Sequence, residues 1–126
     1  MLGCGSSVGS PVLGKDTVGV AKKDWRTRSS VILLIEEVSI LVDTTPDFRQ
    51  QALLNNIKNI DFVLYTHSHA DHTHGIDDLR IFSYIKEDKI TCFGNSYTIN
   101  DIKINFSYIF NNKNMSGRPR LDLKVV

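Results

Sequence analysis

From Ser30 to Val42 the chain reads Ser-Val-Ile-Leu-Leu-Ile-Glu-Glu-Val-Ser-Ile-Leu-Val, two runs of β-branched and aliphatic residues broken only by Glu36-Glu37. Such residues suit a pleated, half-buried surface, and so short a polar break turns the second run back along the first. The pattern predicts a hairpin of strands over Ser30 to Ile35 and Val38 to Val42, which commits the chain to a sheet.

The flanking segments supply the rest of that sheet and its helices. Met1 to Ser7 reads as a short strand running into a Gly/Ser-rich irregular connection that carries Pro11 and Gly14. After the hairpin, Asp43-Thr44-Thr45-Pro46-Asp47 is a helix start, with Thr44 or Thr45 as cap and Pro46 at the first helical position, and the helix should run to about Asn56. Asp61 to Thr66 is a compact apolar strand. Gly75 opens a second helix with Ile76, Leu79, Ile81 or Phe82 and Ile85 on its apolar side, and Lys89 to Phe93 is a further strand. Ile102, Ile104, Phe106, Tyr108 and Phe110 alternate with polar residues, a period of two that predicts another strand. Asn111 to Gly117 reads as a loop, and Leu121 to Val126 begins as a strand. The order predicts an α/β (α+β) arrangement in which one apolar sheet face lacks a partner.

With 126 residues the chain holds one domain, spanning 1–126, with one modest core. Hydrophobic residues at 41% and charged residues at 23% exclude a disordered or membrane-embedded chain, and a net charge of +1 names no partner. The longest apolar run, Val31 to Ile35, is too short to span a bilayer, and no basic leader precedes an apolar stretch, so the expected location is cytoplasmic. The two cysteines, Cys4 and Cys92, are too few and too separate for a disulfide framework or zinc ribbon, and read as small core or loop residues of a reducing compartment.

Function concentrates in Thr66-His67-Ser68-His69-Ala70-Asp71-His72. All four histidines of the protein lie between positions 67 and 74, with Asp71, Asp77 and Asp78 close by. Neutral imidazole and carboxylate suit zinc and its first-row neighbours, which bind nitrogen and oxygen at about 2.0 to 2.2 Å. In extended chain His67 and His69 project to the same side, where both can reach one ion. Asp71 and His72 follow as the backbone bends into a helix, where they can reach that ion or a second one beside it. The site would sit at the carboxyl end of a strand, where α/β architectures place chemistry. These spacings predict one or two divalent metals, zinc before manganese, held by His67, His69, Asp71 and His72. His74 is expected to orient a ligand rather than to touch metal. A cluster of surface histidines that cap and pair at a helix start is the competing reading, and the density of ligand types disfavours it.

The pattern His67-x-His69-x-Asp71-His72 resembles the zinc signature of the metallo-β-lactamase superfamily. Leu2-Gly3-Cys4-Gly5-Ser6-Ser7, Arg28-Ser29-Ser30, Leu41 to Arg49, Gly75 to Arg80 and Phe106 to Phe110 resemble its phosphodiesterase branch, which includes the cyclic-phosphate phosphodiesterase of the carbon–phosphorus lyase pathway and neighbours the tRNA 3′-end endonuclease. The resemblance implies the N-terminal half of a four-layer αβ/βα sandwich. It also implies that His67 and His69 serve a first zinc and Asp71 and His72 a second, with a metal-activated hydroxide as nucleophile on a phosphodiester. Asp71 and His72 would then be the catalytic pair, and Asp43 would lie beneath the ligands, tying the loops together. Members of that branch often carry a cysteine cluster for a structural zinc, whereas Val12 to Trp25 contains no cysteine. The family completes its centre with further histidines and an aspartate from its C-terminal half, and no histidine follows His74. The expectation is therefore a truncated hydrolase domain for a small-molecule or nucleotide phosphodiester. Its partner would be a complementing C-terminal half or a second copy, and no membrane is implied. The alternative is a catalytically inactive truncated or split-gene fragment that binds metal weakly. A nucleic-acid module built on Lys22, Lys23, Arg26 and Arg28 ranks below both, because near-zero net charge and the lack of an aromatic platform beyond Trp25 argue against it.

Overall fold

A computed structural model of the chain describes residues 1–111 and 116–126. The hairpin forms as expected. Strands β1 (Val31–Ile35) and β2 (Val38–Val42) pair antiparallel with Ile35 opposite Val38, and Glu36 takes a positive φ of 55° to close the turn. The sheet then continues in parallel through β3 (Phe62–Leu64), β4 (Ile90–Gly94) and β5 (Leu121–Val125), giving five strands in the order β1-β2-β3-β4-β5.

Parallel neighbours cannot be joined by a tight turn, so each pair is linked by a helical crossover. Helix α1 (Phe48–Leu54) links β2 to β3. A short α2 (Ala70–Thr73), a 3₁₀ turn (Ile76–Asp78) and α3 (Leu79–Ile85) link β3 to β4. Helices α4 (Ser96–Asn105) and α5 (Ser107–Phe110) link β4 to β5.

The strand register divides the sheet into two faces. Leu41, Val63, Cys92 and Leu123 lie in one row, and with Ile90 and Leu121 they pack against Phe48, Ala52, Ile76, Leu79, Ile102, Phe106 and Ile109 from the helices. Each large apolar side chain so buried stabilises the fold by about 1.5–3 kcal/mol before conformational entropy is charged against it. The intervening rows, Val31-Val42-Leu64-Phe93-Lys124 and Leu33-Ile40-Phe62-Thr91-Asp122, point the other way, and none of their members is fully buried. The Phe62 and Phe93 rings lie side by side there, 6.0 Å apart. Among the described residues this is the expected sheet face without a covering layer.

Several expectations need correction. The stretch from Ile102 to Phe110 is helical. Asn95 caps α4 by accepting the Thr98 N–H at 2.9 Å, and Ile99, Ile102, Phe106 and Ile109 are the buried set, spaced as a helix requires. The period of two arose because exposed Ile104 and Tyr108 fall between them. The N-terminal segment forms no regular strand but touches the following loop through isolated bridges at Gly3, Gly5 and Ser10. Regular helix in α1 begins at Phe48 rather than Pro46, although the Thr45 hydroxyl does accept the Asp47 N–H at 3.1 Å. Of the two readings offered for the cysteines, core fits the buried Cys92 and loop fits the exposed Cys4. Part of the loop expected over Asn111 to Gly117 lies outside the described residues. No described helix is long and apolar enough to cross a membrane.

Candidate metal centre

Asp43 follows β2 and Thr66 follows β3 nearby, so the two loops leave the sheet side by side at the carboxyl ends of parallel strands. A buried carboxylate joins them. Asp43 is 3% exposed and accepts the Thr66 N–H at 2.8 Å, the Thr66 hydroxyl at 2.8 Å and the Nδ1–H of His72 at 2.7 Å. Its backbone sits at φ 61°, in the left-handed region that L-residues enter only when their surroundings compel it.

These bonds decide which ring nitrogens are free. Because Nδ1 of His72 donates to Asp43, its Nε2 carries the lone pair. The Thr66 hydroxyl spends its proton on Asp43, so at 2.9 Å it accepts from Nδ1 of His67 and leaves Nε2 of that ring free as well. The His67 ring lies 4.0 Å from that of His72 and 4.7 Å from that of His69, centroid to centroid. Nε2 of His72 stands 3.3 Å from Oδ2 of Asp71. Two donors each about 2.0–2.2 Å from one tetrahedral ion lie about 3.4 Å apart. This pair therefore fits a shared cation in both spacing and donor chemistry. Among the described residues, no three or more His, Cys, Asp or Glu side chains are grouped so as to hold an ion by themselves.

The loop is fixed from behind. Thr44 donates its N–H to the His72 carbonyl at 2.8 Å, Gly75 donates to the Thr44 carbonyl at 2.9 Å, and the Thr44 hydroxyl donates to the Thr73 carbonyl at 3.2 Å. At Gly75 a Cβ would lie 2.1 Å from the Thr45 carbonyl oxygen, so only glycine permits this approach. Tyr65, buried below, shares a hydrogen bond with Thr44 at 3.0 Å, and burial keeps its phenol well above the ordinary tyrosine range.

The remaining candidates are placed differently. His74 bonds the Thr73 hydroxyl at 3.2 Å and sets its ring edge-on against Phe106; Thr73 in turn donates to the carbonyls of Ser68 and His69. The His74 ring thus meets the ligand loop through Thr73, while its backbone N–H donates to the Ala70 carbonyl at 3.0 Å. Asp77 accepts the Tyr108 hydroxyl, and Asp78 lines a cleft between α1 and α3, where desolvation raises its pKa against the opposing pull of Arg49. In the basic segment, Arg28 is paired with Asp47 at 3.0 Å and Arg26 bonds carbonyls of Lys23 and Trp25, so two of its cations are committed within the fold. Sequence reasoning missed Thr66, Thr73 and Asp101. The last accepts a 2.6 Å hydrogen bond from Ser68, and no local pattern announces it.

Residues 39–124 match the model of the beta-lactamase superfamily domain. The chain is 35% identical over 127 residues to an octanoyltransferase of Porphyromonas gingivalis, covering 98% of this chain and 25% of that protein. A crystal structure of a diphosphatase from the PhnP family superposes with a TM-score of 0.86 at 37% identity, over 99% of this chain and 48% of that one. Zinc-bound PqqB from Methylobacterium extorquens (TM-score 0.78, 19% identity, 99% of this chain and 44% of that one) and the short form of human tRNase Z (0.65, 21%, 98% and 42%) share the fold. The chain thus spans a quarter of the curated relative and under half of each solved chain.

Proposed function

The chain belongs to the beta-lactamase superfamily, and from that premise we propose that it is the N-terminal half of a metal-dependent hydrolase acting on phosphodiesters. The observation that carries this reading is the Asp71–His72 donor pair, 3.3 Å apart, beside a His67 ring whose free nitrogen is set by the same buried carboxylate. The likeness to a PhnP-family diphosphatase at 37% identity supports hydrolysis at a phosphoryl centre, and the phosphodiester is the finer part of the proposal. His67 and His69 would hold one ion and Asp71 and His72 a second, with zinc preferred by the donor set and manganese compatible with it. Bound there, such ions would neutralise charge on a phosphoryl group and lower the pKa of water. The task of the chain's own residues is orientation. Asp43 keeps His72 in one tautomer, Thr66 relays the same constraint to His67, and Asp71 and His72 would be the pair beside the reacting group. His74 acts on the loop through Thr73. The acyl transfer named for the Porphyromonas relative is not carried over, because the match covers a quarter of that protein.

A second reading has its own support. In it the chain alone is an inactive fragment that binds metal weakly, a reading supported by its spanning a quarter of the curated relative and under half of the diphosphatase chain. In both readings the uncovered sheet face, with Phe62 and Phe93 at its centre, receives the complementing C-terminal half or a second copy. Hydrolysis of bis(p-nitrophenyl) phosphate by the chain loaded with zinc or manganese, and its loss in His69→Ala, separates them. Turnover abolished by the substitution supports the enzyme; binding without turnover supports the fragment.

A further inference from the structure

We propose that Asp101 is a positioning residue for the ligand loop, acting through Ser68 to hold His67 and His69 in register. This rests on the metal reading above and extends it to a helix outside the His67–His72 motif. Ser68 is the residue between the two histidines, and its hydroxyl donates to Oδ2 of Asp101 at 2.6 Å, the short distance typical of a hydroxyl bonded to an ionised carboxylate. Its carbonyl is held from the other side by the Thr73 hydroxyl at 3.3 Å, which also takes the His69 carbonyl at 3.0 Å. Ser68 is therefore tied to α4 by its side chain and to α2 by its backbone.

The anchor is firm. Asp101 sits in α4, whose start is capped by Asn95 and whose neighbouring Ile99 and Ile102 are 2% and 0% exposed, so the backbone that carries the carboxylate is fixed to the core. His67 already has a tether in Thr66, and His72 has one in Asp43. Among the described residues no side-chain hydrogen bond holds the His69 ring, so the direction of that ring depends on the backbone that Ser68 fixes. Supporting contacts of this kind commonly change metal affinity by about 10–100-fold when removed. An effect transmitted through one residue belongs near the lower end of that range.

The test is zinc affinity, measured on the full chain by competition with a chromophoric chelator, for wild type, Ser68→Ala, Ser68→Thr, Asp101→Ala and the Ser68→Ala/Asp101→Ala double variant. The proposal predicts about a tenfold loss for either alanine variant. It predicts no further loss in the double variant, recovery in Ser68→Thr, which keeps a hydroxyl, and thermal midpoints within a few degrees of wild type. Unchanged affinity in both alanine variants, or losses that multiply in the double variant, would overturn it while leaving the metal reading intact. A lower midpoint with unchanged affinity would reduce the bond to a structural one and overturn it equally. If the wild-type chain binds no zinc, the metal reading itself falls, and this inference with it.

Discussion

The Asp43 carboxylate accepts the Nδ1–H of His72 at 2.7 Å from a backbone position at φ 61°, and the same carboxylate takes both the N–H and the hydroxyl of Thr66. One buried side chain thereby fixes the tautomers of two histidines on a neighbouring loop. Asp43→Ala should weaken zinc binding by about 10–100-fold through loss of that orientation. It should also lower stability by about 1–3 kcal/mol by stranding the Thr66 donors. Asp43→Gly should lose the same affinity but be about 1 kcal/mol more stable than the alanine variant, since glycine carries no penalty at positive φ. Urea unfolding and chelator competition on the two variants check both parts.

Asp61 provides a pH signature independent of the metal site. Burial raises its pKa, but hydrogen bonds from the Ser39 N–H and hydroxyl, from Asn59 and from Lys86 outweigh burial and lower it from 3.8 to about 2. A carboxyl depressed in the folded state contributes stability that is complete above its unfolded pKa and is lost as pH falls through the folded one. Because solvent screens much of this interaction, stability should drop by about 1 kcal/mol between roughly pH 4.5 and pH 2. Asp61→Asn should flatten that part of a stability–pH curve obtained by chemical denaturation.

Gly75, just past α2, lies against the loop that follows β2. A Cβ there would lie 2.1 Å from the Thr45 carbonyl oxygen and 2.9 Å from Cβ of Phe48, both fixed parts of the core edge. Gly75→Ala should cost more than about 2 kcal/mol, because backbone rather than a flexible side chain must give way. A thermal midpoint close to wild type would mean that the loop is looser than these contacts require.

The two thiols should differ in reactivity. Cys92 is buried in the sheet, and desolvation pushes its thiol far above the ordinary range, whereas Cys4 is exposed. Native protein should therefore titrate one fast thiol with a disulfide reagent, and denatured protein two. Two fast thiols in the native state would show that β4 opens readily.

Local pattern made much of this legible. The β1–β2 hairpin was written in two aliphatic runs and one polar pair, and the histidine cluster announced itself because its members are adjacent in sequence. The region from Ile102 to Phe110 misled because a helix that exposes Ile104 and Tyr108 imitates strand alternation; Ile99, Ile102, Phe106 and Ile109, together with Asn95 as cap, carried the correct period. Contacts that join distant segments left no local trace. Asp101 meets Ser68 across 33 positions, and Thr66 owes its role to a carboxylate 23 positions earlier. Asp43 stood out by resemblance alone, since nothing in its immediate neighbours points to His72.

Together His67, His69, Asp71 and His72 should hold metal. Zinc bound at equilibrium, measured by dialysis followed by metal analysis, tests it most directly when wild type is compared with His67→Ala/His69→Ala, Asp71→Ala/His72→Ala and the quadruple variant, each first shown to be folded by circular dichroism. Wild type should retain zinc, each double variant should retain less, and the quadruple variant should retain none above background. A folded quadruple variant that binds as much zinc as wild type would contradict it.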